Sequence, residues 1–74
     1  MNTYKVELSV LDNGTVLSVN QSTHARYIDA RNAARQQAIA YGSRYGLNVE
    51  AIAGGFFLLR DNNGRTMAQT AVRY

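Results

Sequence analysis

Few residues in the sequence could move protons. The candidates are His24, Asp12, Asp29, Asp61, Glu7 and Glu50, and an acid–base site needs such groups to share one pocket. Asp12 and Asp61 stand in Asp12-Asn13-Gly14 and Asp61-Asn62-Asn63-Gly64, which read as hairpin turns where aspartate bonds its own backbone. Asp29 is placed to cap a helix. Glu7 and Glu50 fall on strands, where each could pair with Lys5 or an arginine. His24 lies in a polar stretch and reads as a solvated side chain. The chain has no cysteine, so it has no thiolate, and one histidine cannot make a His-based zinc site. Catalysis, a metal and a cofactor are all unexpected.

Phosphate-binding motifs are absent as well. Gly54-Gly55 lacks the helix and lysine that a P-loop needs after it, and Gly42-Ser43-Arg44-Tyr45-Gly46 falls at a helix end rather than a helix start. The basic residues are more informative. Seven of the eight are arginine, whose fork pairs with carboxylates, phosphates and aromatic faces more specifically than lysine does. Arg31 and Arg35 are one helical turn apart, Arg26 could extend the line, and Tyr27 could add stacking. Such a stripe can hold phosphates. Yet a net charge of +3 is small for a dedicated nucleic-acid binder, and no helix-turn-helix, zinc-finger or RNP pattern occurs.

These side chains need a scaffold. Tyr4, Val6, Leu8 and Val10 alternate with Lys5, Glu7 and Ser9, the pattern of a half-buried strand. After the first turn, Thr15 to Val19 reads as the returning strand. Asn20 to His24 reads as a loop, and Ala25–Ile28 as either loop, resumed strand or early helix. A helix is expected from Asp29 or Ala30 to Tyr45, with Asp29 as N-cap, Ile28 stapled onto Ala33, and Gly46 as the left-handed stop. Gly42 is a weak point that could end it early. At 100° per residue, Ala30, Ala33, Ala34, Gln37, Tyr41 and Tyr45 share one face, and the two tyrosines should supply most of the buried area at its C-terminal end. Arg31, Asn32, Arg35, Gln36, Ile39 and Ser43 share the other. Asn48 to Ala53 reads as a strand, Gly54-Gly55 as a tight turn, and Phe56 to Leu59 as a strand apolar on both sides and hence central. Arg65 to Val72 reads as a fifth strand, at an edge.

The order β-β-α-β-β-β, with three hairpin connections, predicts an α+β fold: a two-layer sandwich of one helix on an antiparallel sheet of about five strands. Seventy-four residues allow one domain. One helix cannot cover both faces of five strands. Either the sheet curls on itself or an apolar patch is left for a partner. No apolar run is long enough to span a membrane, and Met1-Asn2-Thr3-Tyr4 does not begin like a signal peptide, so a small soluble cytoplasmic protein is expected.

Ile28-Asp29-Ala30 with the helix through Asn32-Ala33-Ala34-Arg35-Gln36-Gln37-Ala38, and Val49-Glu50-Ala51-Ile52, Gly54-Gly55, Phe56-Phe57-Leu58-Leu59 and Asp61-Asn62-Asn63-Gly64-Arg65, carry a likeness over about half the chain. In shape and spacing they resemble the small bacteriophage anti-CRISPR proteins that inhibit type I surveillance (Cascade) complexes. The first hairpin and the alanine-rich helix depart from that pattern. The resemblance implies a non-enzymatic inhibitor in the host cytoplasm. It would bind Cas subunits and block target DNA, with contacts to guide RNA or DNA. Arg35 and Gln36 are the matching helix positions, and Arg31 is their neighbour by geometry.

A protein partner also suits the residues themselves, since arginine beside an apolar anchor favours an interface centre. The expected contact surface is Arg31, Asn32, Arg35, Gln36 and Ile39, on a monomer or weak dimer. Two alternatives stand beside it. One is a small nucleic-acid-binding module using the same arginines. The other is a structural protein that pairs through the uncovered sheet face or the edge strand Arg65–Val72.

Overall fold

The computed structural model describes residues 3–12 and 15–74. Asn13 and Gly14 of the first turn fall outside the described residues. The alternating N-terminal segment forms β1 (Tyr4–Asp12), followed by β2 (Thr15–His24), α1 (Tyr27–Tyr45), β3 (Asn48–Ala53), β4 (Phe56–Arg60) and β5 (Thr66–Arg73). All pairings are antiparallel, in the order β2-β1-β5-β4-β3, and the helix lies on one face. The expected α+β architecture is present. The helix carries the chain from one sheet edge to the other, after which two hairpins bring it back until β5 pairs with β1.

That closure corrects the expected strand positions. β5 is not an edge strand but the central one, between β1 and β4. The edges are β2 and β3. β4 is interior but sits next to the β3 edge. Polar residues on β5 misled the reading, because a sheet covered on one side keeps them on its open side. Thr70 is the exception. It is fully buried on the helix side and donates to the Gly55 carbonyl at 3.2 Å.

Asn20 to His24 is strand, not loop. Each of these residues pairs with β1, from Leu8↔Asn20 to Tyr4↔His24. Gln21 Nε2 donates to the Glu7 carboxylate at 2.8 Å, so Glu7 pairs with an amide and not with a cation. The register shifts at Leu8/Ser9, leaving Val19 as the extra residue of a bulge in β2.

The helix starts two or three residues earlier than predicted, at Tyr27. Arg26 is the N-cap, in extended conformation and without a side-chain capping bond. Asp29 lies within the first turn, where its charge still suits the helix dipole, 3.9 Å from Arg26 Nε. Ile28 is inside the helix, so it cannot act as a staple from outside it. Tyr27 fixes the entry instead, its hydroxyl donating to the Gly54 carbonyl at 3.0 Å. At the other end Gly46 adopts the left-handed conformation (φ 67°), and its N–H meets the Gly42 carbonyl.

Gly42 does not end the helix. It completes a buried row with Ala30, Ala34 and Ala38, each four residues apart. A Cβ on Gly42 would stand 3.0 Å from Val49 Cγ2 and 3.1 Å from the Leu47 carbonyl. This row makes the fully buried helix–sheet contact, and of the two tyrosines only Tyr41 packs against the core beside it. Tyr41 is half-buried and Tyr45 is exposed. Ala30 and Ala34 pack on Val6, while Ala38 packs with Leu8, Leu59 and Ala68.

On β4, Phe57 and Leu59 face the helix and pack into its clusters. Phe56 and Leu58 take the alternate positions on the open face and stay half-buried. No element among the described residues covers that second face.

Candidate functional site

Two features of the helix–β3 junction shape its surface. First, the Gly54-Gly55 turn is held from two sides, by Tyr27 through Gly54 and by Thr70 through Gly55. Second, both positions need glycine. A Cβ on Gly54 would run into the Tyr27 hydroxyl. At Gly55, φ is 82° and a Cβ would run into the Val72 side chain and stand 3.8 Å from Arg31 Cα. The turn can therefore lie close beneath the first turns of the helix.

Above it, Arg31, Asn32 and Arg35 line a shallow cavity of about 310 Å³, whose opposite wall is Ile52, Gly54 and Phe57. All three helix residues are exposed, and neither arginine has a carboxylate within salt-bridge distance among the described residues. Ile52 is 49% exposed and stands where the β3 register shifts against β4. Two free guanidiniums, a side-chain amide and an exposed aliphatic residue share one concave surface, suited to carboxylates and apolar side chains of a partner.

The five predicted contact residues are all exposed, but they do not form one patch. Arg31, Asn32 and Arg35 face the β3 side. Gln36 lines a different groove of about 560 Å³ between the helix and β2, together with Leu8, Val19, Gln37, Tyr41 and Tyr45. Ile39 lines neither and stands 49% exposed on the crest of the helix. In the β2 groove, burial raises the Tyr41 phenol above its ordinary pKa. Tyr45 beside it adds to the rise and Arg44 opposes it.

Sequence reading missed Ile52, because alternation along β3 gives no sign of the register shift that places it. It also missed Tyr27 as the strut that fixes the wall.

The proton-carrying residues lie apart. Glu50 sits 3.3 Å from Arg60 Nε on neighbouring strands, and Asp61 accepts from the backbone N–H groups of Asn63 and Arg65, each at 2.9 Å. His24 is half-buried on a strand rather than solvated in a loop. Its Nε2 is 2.9 Å from Ser22 Oγ, and Gln37 Nε2 donates to that same oxygen at 3.3 Å. A serine beside a histidine is the beginning of a nucleophile–base pair. Here the third partner is an amide on the serine, not a carboxylate orienting the ring. No group of three His, Asp or Glu side chains suited to a metal occurs among the described residues. No helix among them is long and apolar enough to cross a membrane.

No protein-family model, characterised protein or solved structure matches the chain.

Proposed function

We propose that the protein is a non-enzymatic binding protein that engages a protein partner through the helix flank Arg31, Asn32 and Arg35, with Ile39 above it and Ile52 facing it. The observation that carries this reading is the pair of unpaired guanidiniums over a turn held from both sides. A rigid wall means that little ordering entropy is lost on docking. The resemblance in the helix and the β3–β4 segment supports the partner's class: Cas subunits of a type I surveillance complex, with the protein acting as a phage counter-defence inhibitor that blocks target DNA.

The test is capture of partners by the tagged protein from a host lysate containing a type I system, with and without nuclease. Cas subunits should persist after nuclease. Arg35→Asp with Ile39→Asp should weaken their binding by about 30-fold or more, the scale of an interface hot spot. Full affinity in that double variant would remove the helix flank from the interface. Loss of all captured protein on nuclease treatment would make nucleic acid the partner.

A second reading rests on β2. This edge strand is ten residues long, carries no Asp, Glu, Lys, Arg or Pro, and exposes Val16, Leu17 and Val19. Edge strands of monomeric proteins usually carry charges or proline that discourage pairing. The bulge at Val19 is the only such device here. Self-association through β2, in place of the expected Arg65–Val72 edge, should appear as a mass that rises with concentration in sedimentation equilibrium. Leu17→Lys should return it to the monomer. A wild-type protein monomeric at all concentrations would remove this reading.

A further inference from the structure

β3 ends one side of the sheet and pairs only with β4, so its outer backbone N–H and C=O groups have no strand beside them. All of its residues, Asn48–Ala53, are exposed. Edge strands are usually guarded by lysine, proline or an inward-pointing charge. β3 has no lysine, arginine or proline, and only the bulge at Ile52 interrupts it. Its single charge, Glu50, points away from the helix. Val49 faces the helix, since a Cβ on Gly42 would stand 3.0 Å from Val49 Cγ2. The next residue therefore lies on the open face, where Glu50 meets Arg60 Nε at 3.3 Å.

The helix runs beside this edge in the opposite direction. Gly42 stands over Val49. Arg31 stands over Gly54, where a Cβ would lie 3.9 Å from Arg31 Cδ. From Arg31 to Gly42 the helix rises about 16.5 Å, and from Val49 to Gly54 a strand advances about 17 Å. The two elements thus stay in step. Arg35, one turn after Arg31, is level with Ile52, and both line the cavity at this junction. Four helical residues rise about 6 Å, and two strand residues advance about 6.8 Å. Alternate residues of an extended chain laid beside β3 share one face, and their spacing matches that of Arg31 and Arg35.

Neither guanidinium has a carboxylate within salt-bridge distance among the described residues, and Glu50 is on the other face of the sheet. The shelf above the β3 edge carries positive charge without an acid beside it. β2, the other edge, is longer but has no Asp, Glu, Lys or Arg with which to recognise a charged partner.

We propose that the helix-flank site takes an extended, acidic segment of the partner, added as a sixth strand on β3, with carboxylates at alternate positions meeting Arg31 and Arg35. This rests on the helix-flank reading and states how the partner is held. Main-chain bonds to β3 supply affinity, and the two guanidiniums select the register. A strand slipped by one residue turns its carboxylates to the open face, where Glu50 repels them.

The experiment uses the full chain and three labelled ten-residue peptides of valine and threonine, each with two glutamates. In the first peptide the glutamates are two positions apart, and in the second they are three apart. The third is the first N-methylated at two successive central residues. Fluorescence anisotropy reads affinity at low ionic strength, where surface charge pairs are least screened. The first peptide should bind roughly 5-fold tighter than the second, which can offer only one carboxylate to the helix side. N-methylation removes donors from both edges of the peptide and should weaken binding about 10-fold or more. The first peptide should also slow amide exchange in Asn48–Ala53. Arg31→Gln with Arg35→Gln should abolish the preference for the two-residue spacing. Equal affinity for the first and third peptides, with that preference still dependent on the arginines, would overturn strand addition and leave the helix flank as the binding surface. Peptide binding indifferent to both arginines would remove the flank as well. The proposal is also overturned if the first peptide does not bind, or if the β3 amides become protected without peptide as protein concentration rises, which would make a second copy the occupant.

Discussion

Leu59→Ala should destabilise the protein by about 2–5 kcal/mol, whereas Leu58→Ala, one residue away, should cost under about 1.5 kcal/mol, since a half-buried side chain has less transfer energy to lose. Leu59 is the largest fully buried side chain and lies where Leu8, Ala38 and Ala68 converge. Its neighbours are small or are held by strand pairing, so they cannot collapse into the space it would vacate. A domain of 74 residues has roughly 4–11 kcal/mol of stability to lose, so this one truncation removes a large share. Thermal unfolding followed by circular dichroism should show a midpoint lower by roughly 10–30 °C for Leu59→Ala. Equal losses at the two positions would mean that the open face, where Leu58 and Phe56 stand, is covered in solution.

That adjacent pair also shows what a sequence discloses. The run Phe56-Phe57-Leu58-Leu59 is apolar on both sides, which marks an interior strand, and β4 is interior. It does not say which side meets the helix. Strand order was less accessible still. β5 carries Thr66, Gln69 and Thr70, and by composition it resembles an edge. Its central place follows from pairing with β1, a contact between the two ends of the chain that no local pattern encodes. Asn20 to His24 misread for a related reason. Its polar residues find partners in the fold, Gln21 with Glu7 across the strand pair and Ser22 with His24 on its own strand and Gln37 on the helix, so a segment without alternating apolar residues still holds as strand.

The helix was legible through its alanines and Gly46, but its start was set by a tertiary bond from Tyr27 to Gly54 rather than by a capping side chain. The exposed helix face followed from the 100° period alone. Its division into two flanks did not. That depends on the strands beneath each shoulder of the helix, and those strands were ordered only by the sheet.

Ala34→Leu tests how far the flank depends on the buried row of small residues. Leucine is nearly as good a helix former as alanine, so propensity changes little and any loss comes from packing. Ala34 is fully buried against Val6 and Ala30, with no room for three more carbons. The helix must lift or roll, at a cost of about 1–3 kcal/mol, measured as a lower urea midpoint. Ala33→Leu, on the half-buried shoulder, should cost less. The displacement has a second consequence. Arg31 stands over the Gly54-Gly55 turn, so a helix lifted at Ala34 carries Arg31 and Arg35 away from Gly54 and Ile52. Partner capture by Ala34→Leu, under conditions where the variant is fully folded, should therefore fall together with stability. If the variant is destabilised as stated yet captures its partner at full affinity, the turn is no part of the binding surface, and the arginines act from the helix alone.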